Sequence, residues 1–433
     1  MNCPKKHGTV TIKDMSDMAG IKDKIRKILK RAVVALYKLE SRVLPIRKDV
    51  VLFMSNMGKN YSGNPKAIYE TLEKVDKNGQ LKIYWAFTSL YLKENGENAL
   101  TGRAKAVRYG SFGYYRILAT AGKWVFDTRQ EPYLVKRKGC SYIQTWHGTP
   151  LKKLGLDISE MNMAGEEKKE SGISDSKAVE KYHNSFREES AKWDYLLAQN
   201  DFSAETFRRC FDYKGKMLLT GYPRNDILVR EGLKNEKSGK KVILYAPTWR
   251  DDSYIGNGWY GYDSPLDFEY LEKAIGDKCR IIVKLHYLVH LKKGDIPESC
   301  INSGFVTVCG NDVDIAELYL KADALITDYS SVMFDYALLG RPMFFFAYDL
   351  KDYRDRLRGF YFDFEQEAPG PISETNEQLL ADISESFADG RFSEKYELFR
   401  KKYNMYDDGH ASEKIAELLT AKLKTDADAG SSQ

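Results

Sequence analysis

Short β-rich runs alternate with helical stretches along most of this chain, and this alternation constrains the fold more than any other feature. Strands that alternate with helices form parallel sheets in βαβ units. The pattern therefore predicts an α/β protein. A first series of predicted strands covers 50–55, 82–87, 124–126, 142–145, 195–198 and 217–219, and a second covers 242–246, 280–285, 305–308, 324–327 and 343–346.

The length of the chain, 433 residues, favours two domains over a single core. Residues 234–241 contain lysines and a glycine but few apolar side chains, so they are the predicted linker. We expect a polar leader and an amphipathic helix over 1–49, a first Rossmann-like domain over 50–233, and a second Rossmann-like domain over 241–423. The two domains are expected to face one another across a cleft.

The composition excludes several other classes of protein. Six cysteines lie far apart without a CxxC pair, which argues against a zinc ribbon or a disulfide scaffold and fits a reducing cytosol. The N-terminal residues are polar, and no apolar run approaches the roughly 18 residues that span a bilayer. No His, Cys or carboxylate cluster has metal-ligand spacing, and Asp312-Val-Asp314 is interpreted as a helix cap. Neither a metal nor another cofactor is expected.

Residues 20–47 predict a basic amphipathic helix. Lysines and arginines crowd between apolar residues at three- and four-residue spacing, namely Ile21, Ile25, Ile28, Ala32, Leu36 and Leu39. One interpretation is a helix that lies in an anionic membrane interface. The other is a helix that packs on the body of the protein with a solvated basic face.

The clearest candidate for catalysis is the turn Trp146–Pro150, which follows the predicted strand 142–145. Ligands of open parallel sheets bind at the carboxyl ends of the strands. Gly148 permits a close backbone approach, and Pro150 suits the first turn of a helix. We expect His147 to project into the cleft as a general base for a hydroxyl. A structural histidine is the alternative that the turn alone leaves open.

Cationic side chains follow two further strands. Arg224 comes after the strand 217–219 and offers a fork for a phosphate, although a solvated surface arginine is the alternative. Lys284 and His286 lie on one side of a strand end because side chains alternate along a strand. A cation and an imidazole on one face suit a diphosphate leaving group, and two solvated polar residues on an edge strand are the alternative.

The strand 324–327 leads into a pair of serines. Ser330 and Ser331 open a predicted helix that runs through Leu339, and they are either ordinary caps or ligands of a phosphate at the helix N-terminus. Asp335 lies on the same helical face as Ser331 and is a candidate acceptor for a hydroxyl of ribose or glycerol.

Together these segments resemble the CDP-glycerol glycerophosphotransferase family over about Val50 to Leu419. The strongest matches are Gln-Thr-Trp-His-Gly-Thr-Pro-Leu-Lys-Lys-Leu-Gly at 144–155, Tyr-Ala-Pro-Thr-Trp-Arg-Asp at 245–251 and Thr-Asp-Tyr-Ser-Ser-Val-Met-Phe-Asp at 327–335. Weaker matches are 64–66, 358–360 and 407–412. One departure is Tyr287, where the family commonly has a proline after its second histidine.

The resemblance implies a GT-B-like architecture and an enzyme that transfers glycerol phosphate from CDP-glycerol to a hydroxyl, releasing CMP. The implied acceptor is a lipid-linked saccharide or a polyol-phosphate chain, in teichoic acid or capsule synthesis. Carried over by motif, His147 is the base and His286 acts with it at the donor phosphates. The implied donor-binding residues are Thr145, Trp146, Gly148, Thr149, Arg224, Pro247, Thr248, Lys284, Leu285, Ser330, Ser331 and Asp335.

The resemblance also implies a peripheral protein on the cytoplasmic face of the membrane, which favours membrane contact for the helix at 20–47. The basic, aromatic stretch 103–123 is a second candidate for that surface, or else an amphipathic helix that covers the sheet. A CDP-ribitol donor and a non-catalytic basic membrane-binding module are the rival functions. No nucleic-acid partner is expected, and whether the protein forms a homo-oligomer is open.

Overall fold

The structure of the protein is a computed structural model that describes residues 12–159, 176–232, 239–248, 254–256, 259–262, 264–286, 289, 291, 294–310, 313–350, 359–389 and 394–430. Its helices are α1 (Ile12–Val43), α2 (Gly63–Val75), α3 (Ser89–Asn95), α4 (Phe112–Thr120), α5 (Ser176–Ser190), α6 (Asp201–Cys210), α7 (Asp226–Glu231), α8 (Phe268–Ile275), α9 (Glu298–Asn302), α10 (Ile315–Lys321), α11 (Val332–Tyr336), α12 (Phe364–Glu367), α13 (Asn376–Asp389), α14 (Glu394–Tyr403) and α15 (Ala411–Gly430).

The strands form two parallel sheets and a small hairpin. They are β1 (Arg47–Met54), β2 (Lys82–Phe87), β3 (Lys105–Arg108), β4 (Ala121–Phe126), β5 (Ser141–Gln144), β6 (Tyr195–Ala198), β7 (Lys216–Leu219), β8 (Lys241–Tyr245), β9 (Tyr254–Gly256), β10 (Trp259–Tyr260), β11 (Cys279–Val283), β12 (Val306–Val308), β13 (Ala324–Thr327), β14 (Met343–Phe346) and β15 (Ile372–Ser373). The α/β class predicted from the alternation is confirmed.

The first sheet has seven strands in the order β3-β2-β1-β4-β5-β6-β7, and its pairings are all parallel. Its central strands are continuous apolar runs because helices cover both faces. In β1, Val50–Met54 are buried throughout. The sequence pattern missed β3, whose lysine and arginine lie on an exposed edge strand. Charged side chains are common on such edges, and they remove the apolar signal.

The second sheet has six strands in the order β12-β11-β8-β13-β14-β15, again with parallel pairings. The five predicted strands of this series form its body. The pattern missed β15 because two residues are too short to carry a periodicity. It also missed the antiparallel hairpin of β9 and β10. Residues 234–238 of the predicted linker lie outside the described residues, and Lys241 already belongs to β8.

The C-terminal helix corrects the predicted domain boundary at residue 423. Ile415, Ala416 and Leu419 of α15 share a core with Val51 and Phe53 of the first sheet. The chain therefore returns to the first domain after completing the second. Sequence order alone assigned this helix to the second domain, because an amphipathic pattern does not identify the surface that the helix covers.

Helix α1 has two apolar faces. Its inner face packs on the first domain through Val33, Val34 and the buried Tyr37, whose hydroxyl accepts a hydrogen bond from the backbone N–H of Val135 at 2.9 Å. The opposite face leaves large apolar side chains exposed. We call this the α1 outer face; it comprises Ile28, Leu29, Ala32, Leu36, Leu39 and Val43.

The stretch 103–123 divides into β3, α4 and the start of β4, so it is not a single helix. Tyr114 and Tyr115 of α4 are buried against the first sheet, while Phe112 is exposed. The covering-helix interpretation therefore holds for α4. No helix within the described part of the chain is both long enough and apolar enough to cross a bilayer.

Candidate active site

The topology brings the predicted strand ends together within each sheet. In the first sheet, β4 and β5 are parallel neighbours, so the segment after Phe126 and the Trp146–Pro150 turn lie at the same edge. In the second sheet β11, β8 and β13 are consecutive, so the segments after Val283, Tyr245 and Thr327 share one edge. Ligand sites of parallel sheets lie at such edges.

The backbone orients the His147 ring. Its Nδ1 lies 2.9 Å from the carbonyl oxygen of Asp127, and the ring stacks on Trp146 with centroids 4.5 Å apart. A carbonyl oxygen only accepts hydrogen bonds, so Nδ1 carries the hydrogen and Nε2 is the proton-accepting nitrogen. Burial within the cleft lowers the pKa of His147, and the nearby Arg224 acts in the same direction. The imidazole is therefore neutral at pH 7, as a general base must be.

Asp127 follows β4 and ties two strand ends together. Its carboxylate accepts hydrogen bonds from the backbone N–H of Asn56 at 2.8 Å and from the hydroxyl of Ser55 at 3.0 Å. Burial raises the pKa of this carboxyl to about 6. Asp127 was not a predicted site residue, although its position directly after a buried strand was the available signal.

Trp146 adopts an uncommon backbone conformation, with φ at 50°. A left-handed conformation costs a non-glycine residue about 1–2 kcal/mol, so surrounding bonds must impose it. The Trp146 N–H donates to Oε1 of Gln144 at 3.0 Å, and its carbonyl accepts from Nδ2 of Asn64 at 3.0 Å. Neither Gln144 nor Asn64 was predicted as a site residue, although both lie within the matched motifs.

Gly148 lies close to the serine segment that follows the second sheet's β13 strand. A Cβ atom on Gly148 would lie 3.0 Å from Oγ of Ser331 and 3.3 Å from its Cβ. A side chain at this position would push the Ser331 side chain aside by a few tenths of an ångström, so the glycine permits the close approach. The structure thus brings His147 of one domain next to Ser331 of the other.

Arg224 and Asp335 pair with each other across the domain boundary. The Arg224 guanidinium donates to Oδ2 of Asp335 at 2.6 Å and to the carbonyl oxygen of His147 at 2.7 Å. Asp335 also accepts from Asn225 at 3.1 Å, and Asn225 bonds Asp407 at 3.2 Å. Arg224 and Asp335, which were predicted separately as ligands of a phosphate and of a sugar hydroxyl, thus form a buried ion pair with each other.

Three predicted donor-binding residues of the turn, Thr145, Trp146 and Thr149, are buried. The Thr145 hydroxyl donates to the carbonyl oxygen of Trp146 at 3.2 Å, and both side chains are buried. The buried Thr149 hydroxyl donates to Gln199 at 2.7 Å and accepts from Asn200 at 3.1 Å. These bonds position the backbone of the turn, and the contact of these residues with a donor stays a prediction.

The second domain supplies cations at the other side of the cleft. The Lys284 ammonium donates to the carbonyl oxygen of Gly310. The pKa of His286 is lowered to about 3, chiefly by burial and in addition by the nearby Lys152, His147 and Lys59. His286 is therefore uncharged at neutral pH. Lys59 and Lys152, which the sequence analysis did not select, add positive potential around it.

The serine segment differs from its predicted form. Helix α11 is only Val332–Tyr336, and a 3-10 turn continues it through Leu339. Ser331 makes no side-chain cap to this helix, and Ser330 accepts only a long bond from Val332 N at 3.5 Å. The ordinary capping interpretation is therefore not supported for Ser331. So short a helix has little dipole, and the hydroxyls themselves are the available phosphate ligands.

The remaining predicted positions lie at the same edge or outside the described residues. The N–H of Thr248, next to Pro247, donates to Asp328 at 2.8 Å, while the Leu285 side chain is part of the core. Asp314 caps α10 by accepting from Ala316 N at 3.1 Å, which confirms the predicted cap. Positions outside the described residues are Tyr287, Arg358, Asp312 and 249–251.

Comparisons with known proteins agree with these motifs. A family model described as CDP-glycerol:poly(glycerophosphate) glycerophosphotransferase matches residues 35–421. The chain is 37% identical over 400 residues to the teichoic acid poly(glycerol phosphate) polymerase of Bacillus subtilis (strain 168), which covers 90% of this chain and 51% of that protein. This chain thus spans about half the length of that polymerase.

Two further relatives align along almost their whole length. The teichoic acid glycerol-phosphate transferase of Staphylococcus aureus (strain NCTC 8325 / PS 47) is 37% identical over 414 residues, covering 92% of this chain and 99% of that protein. The teichoic acid ribitol-phosphate primase of Bacillus spizizenii (strain ATCC 23059 / NRRL B-14472 / W23) is 31% identical, covering 93% and 99%.

A solved structure of the wall teichoic acid polymerase TagF, a variant soaked with CDPG, superimposes with a TM-score of 0.80 at 34% identity, covering 95% of this chain and 99% of that chain. The family model spans most of the chain, and the strand-end segments that carry the motifs contact one another. This chain belongs to the CDP-glycerol:poly(glycerophosphate) glycerophosphotransferase family.

Proposed function

We propose that this protein transfers glycerol phosphate from CDP-glycerol to a hydroxyl of a lipid-linked acceptor or a growing polyol-phosphate chain, in teichoic acid or capsule polymer synthesis. The observation that carries the proposal is the neutral His147, which is oriented by Asp127 and lies beside Ser331 of the opposite domain. Such a transfer needs a base for the acceptor hydroxyl and, opposite it, ligands for the donor phosphates. The CDPG-soaked TagF structure supports the same donor class.

In the proposed reaction an acceptor hydroxyl attacks the glycerol-bearing phosphorus in line. Nε2 of His147 takes the hydroxyl proton as the new P–O bond forms. The bond between this phosphorus and the CMP oxygen breaks, and CMP leaves with the electron pair. Lys284, His286 and the hydroxyls of Ser330 and Ser331 stabilise the departing phosphate through charge and hydrogen bonds.

The cleft arrangement supports a GT-B-like architecture, in which the donor occupies the second domain. Pro247, Thr248 and Leu285 lie at the carboxyl ends of β8 and β11, and we assign them to the donor pocket through their backbone atoms. The return of α15 to the first sheet links the two domains a second time. Lys66 of α2 also pairs with Asp314 of α10 across the cleft at 3.1 Å.

CDP-glycerol is expected to be the preferred donor. The glycerol-phosphate relatives are 37% identical to this chain and the ribitol-phosphate primase is 31% identical. We expect CMP release with CDP-glycerol and a lipid-linked acceptor to exceed release with CDP-ribitol by at least about tenfold in kcat/KM, a difference of about 1.4 kcal/mol in transition-state free energy. The control is the same assay with His147→Ala protein, which measures any CMP release by contaminating enzymes.

Equal rates with the two donors, or faster release with CDP-ribitol, would contradict the donor assignment. Binding to vesicles without CMP release from either donor would instead favour the basic membrane-binding module. Mass spectrometry of the acceptor product measures how many units are added.

We further propose that the protein acts at the cytoplasmic face of the membrane as a peripheral protein, and that the α1 outer face contacts the lipid. This face is a stripe of apolar side chains at helical spacing, bordered by Lys27, Lys30, Arg31, Lys38 and Arg42. Exposed apolar stripes flanked by cations fit an anionic interface, where the chains enter the acyl boundary and the cations meet headgroups. Phe112 of α4 is exposed and adds an aromatic side chain to the same domain.

Replacing Leu29 and Leu36 together with glutamate is expected to weaken binding to phosphatidylglycerol vesicles by at least about tenfold. Each change removes an apolar anchor and adds a charge that anionic lipid repels. Vesicle sedimentation at low and high salt measures the effect. Leu398→Glu is the matched control, since Leu398 of α14 is 58% exposed and Leu29 is 59% exposed. Unchanged sedimentation of the double variant would remove the α1 outer face from the membrane contact.

A further inference from the structure

Asn64 is a buried residue of α2 whose carboxamide is fully used by backbone groups of two separate site segments. Its side chain is 1% exposed. Nδ2 donates to the carbonyl oxygens of Thr145 at 3.1 Å and Trp146 at 3.0 Å, and Oδ1 accepts from the N–H of Arg224 at 3.2 Å. Two carbonyls and one N–H fix the orientation of the amide, because only Nδ2 can donate.

The bonds of Asn64 act on both sides of His147. The Trp146 carbonyl belongs to the same peptide plane as the His147 N–H, so holding this oxygen sets the plane from which the His147 side chain branches. On the other side, Asn64 holds the backbone of Arg224, and the Arg224 guanidinium donates to the carbonyl oxygen of His147 at 2.7 Å. One side chain therefore fixes the backbone directly before the base and, through Arg224, the backbone directly after it.

The same arrangement reaches the second domain. Arg224 pairs with Asp335 of α11, which directly follows the Ser330–Ser331 segment. A displaced Asn64 would release the Trp146 carbonyl and the Arg224 backbone together. The distance between the base and the phosphate ligands depends on both.

We propose that Asn64 is a positioning residue of the transfer reaction. Its hydrogen bonds hold the His147 turn and Arg224 in the positions that place the base next to the donor. This inference rests on the proposed function. Asn64 does not touch the reacting atoms, so its loss should affect turnover more than donor binding. Misplacement of a catalytic group by about 1 Å costs on the order of 10²-fold in rate.

The test compares Asn64→Ala and Asn64→Asp with wild-type protein in the CMP-release assay. Asn64→Asp keeps the shape and the acceptor for Arg224 N, but it removes both donors and sets a carboxylate oxygen against two carbonyls. In both variants we expect kcat to fall by about 30-fold or more, while KM for CDP-glycerol changes by less than about threefold. We also expect the acid limb of kcat/KM to move to higher pH. A His147 ring that is no longer held in place would be more exposed to water, and its pKa would rise.

Asn95→Ala is the control. Asn95 is a half-buried asparagine of α3 in the same domain, and its Nδ2 donates to the carbonyl oxygen of Tyr91 at 2.9 Å, away from the turn. It should retain wild-type kcat and pH profile. A kcat within threefold of wild type in both Asn64 variants, or a loss confined to KM, overturns the proposal. Loss of cooperative unfolding in both variants also overturns it, since the role would then be purely structural. Wild-type protein without CMP release would instead overturn the proposed function.

Discussion

Replacing His147 with alanine is expected to lower kcat for CMP release by about 10²–10⁴-fold, which is the range that general-base catalysis supplies. Binding of CDP-glycerol, measured by calorimetry, should stay within about threefold of wild type. The side chain that is lost contacts the Asp127 carbonyl and the Trp146 ring, which both belong to the same half of the protein as the turn. Wild-type turnover in this variant would exclude His147 as the base.

Two further variants sharpen this result. His147→Asn keeps a donor for the Asp127 carbonyl but offers no basic nitrogen, so it should be as inactive as His147→Ala. His183→Ala is the matched control, because the His183 ring lies on α5 and bonds the carbonyl oxygen of Ile158 at 2.9 Å, apart from the turn. It should keep wild-type turnover. A loss of activity in His183→Ala equal to that in His147→Ala would show a general effect of histidine removal.

The pH dependence follows from the same residue. Burial lowers the pKa of His147 below its ordinary value of about 6.5, and the base form is the neutral one. Activity that depends on this base is therefore fully present at pH 7 and falls only as the pH drops through the lowered pKa. We expect the acid limb of wild-type kcat/KM below pH 6.5. A limb at or above 6.5 would contradict the assignment.

Replacing Arg224 with alanine is expected to lower the free energy of unfolding by about 3–5 kcal/mol, because it leaves the Asp335 carboxylate buried without its cation. The Arg224 and Asp335 side chains are 14% and 3% exposed. The variant should also lose activity, since the Arg224 guanidinium bonds the carbonyl oxygen of His147. Urea denaturation measures the stability and CMP release measures the activity.

The double variant Arg224→Met with Asp335→Leu separates these two effects. Two apolar side chains remove the unpaired charge, so stability should recover to within about 1–2 kcal/mol of wild type. Activity should not recover, since no donor remains for the His147 carbonyl. The control is Arg209→Ala, which breaks the more exposed pair with Asp157 and should cost at most about 1 kcal/mol. Full activity in the double variant would show that the pair serves stability alone.

Most of the fold was predictable because both sheets have buried central strands. Runs such as 50–54 and 343–346 are apolar on both faces, which produces a signal that edge strands lack. β3 and β15 were missed for the opposite reason, since one is charged and the other has two residues. The C-terminal helix was assigned to the wrong domain because its partner surface lies more than 300 residues earlier in the chain.

The site was predictable only in part. The strand-end rule selected His147, Lys284, His286 and the serine pair as candidates, because each follows an apolar run. It did not find Asn64, which acts through backbone atoms that lie about 80 and 160 residues away in sequence. It also selected Arg224 and Asp335 separately, and it did not predict that their side chains pair with each other.

The sequence by itself determined the fold class, the family and the His147 turn, because apolar period and motif spacing are local properties of the chain. Only the tertiary structure decided which polar side chains meet one another. Hydrogen bonds and ion pairs between residues distant in sequence depend on packing, and a buried polar group takes whichever partner the fold presents. For this reason Arg224 is bound to Asp335 and His147, and Asn64, rather than a more conspicuous residue, holds the turn.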